Sequence, residues 1–171
     1  LRQPEYANHV VYDLAREHGG DNTNRIVPEH RSGDEAKQEF DTALRALVTE
    51  NDRTMRPDLF VAEEVSRYAP NSGATPDSLL DLIDLNRHYG VGFAGVARRP
   101  AQTDTNLTEL ADQLIIFRVA GKNDVARLNR EADGLGDAAR ELDLYEYIVV
   151  DKVRNWEVHA PVPEYDTTGR L

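Results

Sequence analysis

The 171-residue sequence predicts an α/β fold with a mostly parallel sheet flanked by helices and a carboxyl-terminal antiparallel β-hairpin. Three observations predict it. Short apolar runs alternate along the chain with segments of helical periodicity, so strand follows helix follows strand. The apolar runs are continuous, as strands covered on both faces require. The last two extended segments instead alternate apolar and polar residues around a tight turn, the pattern of a hairpin.

Taken in order, NHVVYDL, Asn8 to Leu14, joins β-branched and aromatic residues into a short buried strand that ends at Asp13. AREHGGDNTN follows as a loop and RIVPEH as a short extended piece. Ser32 or Asp34 can cap the next helix, whose apolar positions Ala36, Phe40, Ala43, Leu44, Leu47 and Val48 keep helical spacing. Pro57 and Asp58 precede LFVAEEV, a second buried strand, after which Thr75 can cap and Pro76 can open DSLLDLIDLNRHY, a helix stopped by Gly90. VGFAGVA, Val91 to Ala97, is a third buried strand, and RRPAQTDTNLTELA is a loop with a short helix. DQLIIFRV reads as a fourth parallel strand, and KNDVARLNREADGLGDAARELD as a helix interrupted at Gly134 and Gly136. YEYIVVDK and NWEVHAPV form the hairpin, and PEYDTTGRL is expected to be a mobile tail. Residues 1–162 are therefore expected to form a single domain, with 163–171 outside it.

Composition narrows the class of protein. With 40% hydrophobic and 30% charged residues the chain can bury a real core and is not of the disordered type. No apolar run approaches the ~20 residues of a membrane helix, so no integral membrane segment and a cytoplasmic location are expected. The lack of cysteine excludes disulfides, thiol catalysis and Cys-zinc sites. The chain carries 31 acidic against 20 basic residues, a net charge of −11, and its lysines are Lys37, Lys122 and Lys152. Acid-rich, lysine-poor composition suits a high-salt environment, where screening relieves self-repulsion. It also opposes non-specific coating of nucleic acid, so contact with DNA would have to come from a local basic patch or an assembled ring.

Candidate function sits at strand ends. In open α/β sheets ligands bind beyond the carboxyl ends of the strands, and there the predicted strands deliver Asp13, Glu63 with Glu64, Ala97 with Arg98 and Arg99, and Arg118. Burying an unpaired carboxylate is costly, so an acid pair directly behind a buried run is either a turn reaching solvent or a metal and water site. Carboxylates beside arginines suit phosphoryl transfer. One acid holds magnesium through its water shell, a second orients water, and arginines neutralise the transferred phosphate.

The ordered motifs LFVAEEVSRYAP, NRHYGVGFAGVARRP and ADQLIIFRV resemble the Walker B strand, the sensor strand and the following strand of the HerA/FtsK superfamily of DNA-pumping ATPases, which includes genome-packaging ATPases of membrane-containing icosahedral viruses. The resemblance runs from Val10 to about Val119. It implies a RecA-like P-loop core that binds ATP and Mg and translocates double-stranded DNA as a homo-oligomeric ring, with capsid or membrane-vertex proteins as further partners and a virion-associated location as the viral case. By the same resemblance Glu64 is the catalytic glutamate, Arg99 and Arg118 act on phosphate, Glu63 is the metal-side acid, and Asp13 and Arg98 line the nucleotide site.

The chain departs from that pattern in three places. Glu63 stands where the family usually has Asp, Ala97 and Arg98 stand where it often has Thr-Gln, and no glycine-rich loop ending in Lys-Ser or Lys-Thr precedes Val10. Either a segment carrying that loop is missing here, or the chain is a degenerate relative that no longer binds nucleotide; as given it is not expected to hydrolyse ATP. Two other classes stay open: a non-hydrolysing α/β interaction or assembly subunit, and a metal-dependent nuclease or phosphatase using the acid pair. The histidines His9, His18, His30, His88 and His159 lack metal-ligand spacing. His88 is expected to cap a helix end, Trp156 and Tyr147 to pack across strands, and Arg127, Arg130 and Arg140 to line a solvated helical face.

Overall fold

A computed structural model of the chain describes residues 8–16, 24–49 and 57–162. Four strands build a parallel sheet: β1 (His9–Tyr12), β2 (Asn24–Ile26), β3 (Leu59–Ala62) and β4 (Gly92–Gly95), in the order β2-β1-β3-β4. Helix α1 (Gly33–Thr49) separates β2 from β3, and α2 (Asp77–Tyr89) separates β3 from β4. These elements, with the short α3 (Thr105–Glu109), fall in the first of two compact units, Leu1–Leu110.

Its core follows from the predicted periodicity. Ala36, Phe40, Leu44 and Val48 of α1 are all buried, and they meet Tyr12, Phe60, Ala62, Tyr68, Leu79 and Leu82 in one apolar cluster. The ring of Tyr68 stacks on Phe40 at 4.4 Å, and Tyr12 meets Phe40 edge-on at 5.1 Å. Such ring pairs add stabilisation beyond their buried area. Burial pushes the Tyr12 and Tyr68 hydroxyls above the ordinary tyrosine range, so both stay neutral in the core.

The second unit, Ala111–Leu171, holds β5 (Gln113–Phe117), α4 (Lys122–Glu131), α5 (Leu135–Glu141), β6 (Tyr147–Asp151) and β7 (Trp156–His159). Its three strands form an antiparallel sheet in the order β5-β6-β7. Leu114, Ile116, Ile148, Val150 and Trp156 pack against Leu128, Leu135 and Ala139 of the helices. The hairpin turn is held by the Asp151 carboxylate, which accepts from the backbone N–H of Val153 and of Asn155, each at 2.9 Å. Tyr147 stacks on His159 at 5.1 Å and lies 6.0 Å from Phe117, the cross-strand packing expected of it.

The fold class matches the expectation, and four local expectations are corrected. DQLIIFRV is not a fourth parallel strand: β5 pairs antiparallel with β6, Ile115 opposite Val149, and the fourth parallel strand is β2 in the segment read as a short extended piece. An apolar run marks a strand but neither its direction nor burial of both faces: direction is set by the partner strand, and Ile115 and Phe117 of β5 are exposed. Thr75 does not cap α2; its hydroxyl donates to the Asp104 carboxylate, which caps α3, and Pro76 occupies the cap position itself. His88 lies in the last turn of α2, but the cap is Gly90 in the left-handed region, and the His88 ring rests edge-on against Tyr89. Arg127 does not face solvent; it is buried and paired with Glu131, whereas Arg130 and Arg140 are exposed.

The helix break falls where the two glycines predict it. Gly134 takes φ 72°, and a Cβ on Gly136 would lie 2.1 Å from the carbonyl oxygen of Val125, so α5 approaches α4 too closely for any side chain there. The Asn129 side chain closes this corner by accepting from the Gly136 N–H at 2.7 Å. Segment 163–171, expected to be a mobile tail, lies outside the described residues, as do His18 and the glycines of EHGG. No helix among the described residues is long and apolar enough to cross a membrane.

Candidate functional site

The parallel register sets the geometry of the rim. Tyr12 pairs with Ala62 and Ala62 with Gly95, so β1, β3 and β4 end at one level. The next residues, Asp13, Glu63 and Val96, therefore leave the sheet side by side. Backbone hydrogen bonds carry the alignment one step further: Glu63 N–H donates to Tyr12 at 3.3 Å and Val96 N–H to Ala62 at 2.9 Å. Because side chains alternate along a strand, Asp13 and Glu63 share the face opposite Tyr12 and Ala62.

Glu64 ends the strand abruptly. Its backbone adopts φ 50°, ψ 42°, the left-handed region that costs a non-glycine residue about 1–2 kcal/mol. The turn feeds a 3-10 segment, Val65–Arg67, and is held by the Val65 N–H donating to the Val96 carbonyl at 2.9 Å. Strain of this kind collects at functional positions. It swings the Glu64 side chain toward the β4 exit, where its carboxylate pairs with the guanidinium Nε of Arg98. The Glu64 side chain is 18% exposed and that of Arg98 77%.

Asp13 is fully buried, and its carboxylate accepts from Arg25 of β2 at 3.5 Å. Arg25 was not anticipated from the sequence; a three-residue strand with exposed neighbours gives little periodicity to read. Arg99 is exposed on the loop after β4, its carbonyl accepting from the Gln102 N–H at 3.0 Å and anchoring the 3-10 turn Pro100–Gln102. Arg118 is exposed directly after β5, so it leaves the antiparallel sheet of the second unit and not the parallel rim. The expectation that four parallel strands deliver all these residues to one edge is thus corrected for Arg118. The parallel sheet places Asp13, Glu63 and Glu64, and Arg98 and Arg99, just past the ends of β1, β3 and β4, and pairs Glu64 with Arg98.

Among the described residues no three His, Asp or Glu side chains form a cluster able to hold a metal ion by themselves. His30 serves a different purpose, its Nδ1 lying 3.2 Å from Glu39. The rim does suit a cation that keeps most of its water and takes one or two carboxylates together with substrate phosphates, as magnesium does. In this geometry Glu64 is paired with Arg98, and Arg99 is exposed on the same loop.

The fold is one that nucleoside triphosphatases adopt. The genome-packaging NTPase B204 of Sulfolobus turreted icosahedral virus 2, solved with AMPPCP, matches with a TM-score of 0.77 at 12% identity over 92% of this chain and 84% of that chain. Its sulfate complex matches with a TM-score of 0.77 at 12% identity over 94% and 84%. B204 described as the DNA-packaging ATPase of Sulfolobus turreted icosahedral virus matches with a TM-score of 0.70 at 12% identity over 91% and 83%. No protein-family model and no curated protein sequence matches the chain.

Proposed function

We propose that this chain is the hydrolytic core of an ATP-driven motor that translocates double-stranded DNA, with viral genome packaging as its task. The observation that carries the reading is the juxtaposition of Glu63 and Glu64 at the end of β3 with Arg98 and Arg99 at the end of the neighbouring β4, in a fold similar to that of viral packaging NTPases. In this reading Glu64 aligns the attacking water, and its restrained backbone holds the carboxylate in place. Arg99 offers a charge to the γ-phosphate, and Arg98 lines the nucleotide site. Glu63 would hold magnesium through its water shell, and Asp13, on the neighbouring strand end, is a buried acid balanced by Arg25. Magnesium, when bound, would neutralise charge on the phosphates. Arg118, on the second unit, is assigned to the phosphate of an adjacent protomer, as in a homo-oligomeric ring.

A phosphate-cradling loop is required, and these 171 residues contain none. We place it on a strand pairing with β4, which among the described residues lies at an edge of the parallel sheet and is followed by the exposed Val96. Reading the coding sequence ahead of Leu1 tests this: a glycine-rich loop with Lys-Ser or Lys-Thr sustains the motor, and a start codon directly before Leu1 removes it. In a full-length protein, Glu64→Gln should lower ATP turnover by about 10²- to 10⁴-fold while nucleotide binding persists; DNA-stimulated hydrolysis surviving in that variant would take Glu64 out of the catalytic role. The second reading, a non-hydrolysing assembly subunit on the same scaffold, predicts no nucleotide binding in any length of the chain.

A further inference from the structure

Arg99 is exposed and long-chained, with rotamer freedom to lose, so the backbone that carries it decides where it can reach. That backbone is fixed twice over. Pro100 restricts Arg99 to the extended region, and it lies there at φ −137°, ψ 107°. Its carbonyl accepts from the Gln102 N–H at 3.0 Å and from the hydroxyl of the buried Thr103 at 3.3 Å.

A turn fixed internally still has to be aimed at Glu64, and the segment leaving Glu64 does this. It passes through the 3-10 residues Val65–Arg67, closes with the Ala69 N–H donating to the Val65 carbonyl at 2.9 Å, and bridges antiparallel to the arginine loop at Pro70 and Thr103. Beside that bridge the Asp104 N–H donates to the Ala69 carbonyl at 3.0 Å and the Asn71 N–H to the Gln102 carbonyl at 2.9 Å. The Asn71 side-chain amide adds a bond to the Ala101 carbonyl at 3.2 Å. With the Val65–Val96 bond at the near end, the two loops form a frame closed at both ends. Asn71 itself is exposed, so its place in the frame is one of geometry more than of burial.

We propose that Asn71 and Thr103 are positioning residues for Arg99. Asn71 docks the 3-10 turn onto the segment that leaves Glu64, and Thr103 locks the Arg99 carbonyl inside that turn. The proposal rests on the reading of Arg99 as the group that meets the γ-phosphate, and it adds what holds that group at a set separation from Glu64. Alignment of water and neutralisation of phosphate must coincide in one transition state, and a misplacement of about 1 Å caused by a change outside the chemistry can cost about 10²-fold in rate. Neither residue has to touch nucleotide. Water can replace the lost bond of an exposed amide, so replacing Asn71 disturbs the geometry while stability changes little.

NMR relaxation on the 171-residue chain tests the frame without any ligand. The backbone amides of Arg99, Ala101 and Gln102 should be rigid, with order parameters of about 0.85, and Asn71→Ala should lower them toward about 0.6 while the signals of β3 and β4 stay in place. Flexible amides in the parent, or no change in the variant, overturn the frame. Kinetics on the full-length ATPase test its use. Asn71→Ala and Thr103→Val should each lower kcat by about 10- to 100-fold, with the melting temperature of Asn71→Ala nearly that of the parent. Thr103→Ser keeps the hydroxyl and should recover most of the turnover that Thr103→Val loses. The decisive arm is the double variant: in an Arg99→Ala background, Asn71→Ala should cost nothing further, because no guanidinium is left to aim. A full additional loss there overturns the positioning role and leaves the nucleotide site standing. An Arg99→Ala variant that turns over ATP like the parent overturns both the positioning role and the phosphate role of Arg99.

Discussion

In the first unit, arginine and glutamate meet at the open end of a parallel sheet, where Arg98 is 77% exposed. In the second, Arg127 and Glu131 meet one helical turn apart on α4, each 4% exposed, with Arg154 of the β6–β7 turn 4.0 Å from the same carboxylate. The chemistry of the two pairs is the same, and the consequences differ because the solvent differs. An exposed pair contributes little and can trade partners. A buried pair cannot: desolvation has already been spent on both charges, so losing one leaves the other stranded. The first arrangement suits a site and the second suits a support.

The sharpest way to break this contrast is to neutralise one buried partner. Glu131→Gln should destabilise the second unit by about 3–5 kcal/mol, read from denaturant unfolding of the whole chain. The paired replacement Arg127→Met with Glu131→Leu should restore most of that stability, since well-packed apolar residues often equal a buried ion pair. A small loss in the single variant would mean that water reaches the pair after all. Next in size is Gly136→Ala, whose methyl would collide with the Val125 carbonyl; a cost of about 1–3 kcal/mol is expected from forcing α4 and α5 apart, and a variant as stable as the parent would contradict their close approach.

The smallest effect belongs to the first unit and depends on pH. Burial alone would raise the pKa of Glu39, but hydrogen bonds from the backbone N–H groups of His30 and Glu29 and from the His30 ring outweigh it and hold the carboxyl below the usual glutamate range. A depressed folded pKa adds stability that is present above the unfolded pKa and lost as the pH falls through the folded one. Acid titration should therefore show a modest fall in stability beneath the ordinary glutamate range. Glu39→Gln should flatten that part of the curve, and an unchanged slope would show that the bonds to Glu39 do not persist in solution.

Much of this was legible from the residues. Ala36, Phe40, Leu44 and Val48 are spaced for one buried helix face and occupy it. Gly90 and Gly134 stand at left-handed positions, at a helix end and at a helix break. Asp13 and the Glu63–Glu64 pair were expected just past apolar runs, and they lie there, since a strand that packs on a core stops where its apolar residues give way to charge. Arg118 and Arg127 were misplaced for a shared reason. Each sits in a segment whose strand or helix character is readable, but the strand direction and the helix face covering them depend on segments distant in sequence.

Local periodicity, turn chemistry and the places where apolar runs give way to charge were determined by the sequence alone, because they arise from interactions a few residues apart. Tertiary structure decided the pairing of β5 with β6, the level at which β1, β3 and β4 end, the burial of Arg127 and the meeting of Glu64 with Arg98. Each of these depends on which distant segment arrives to exclude water or supply the opposite charge, and no short window of sequence contains that partner.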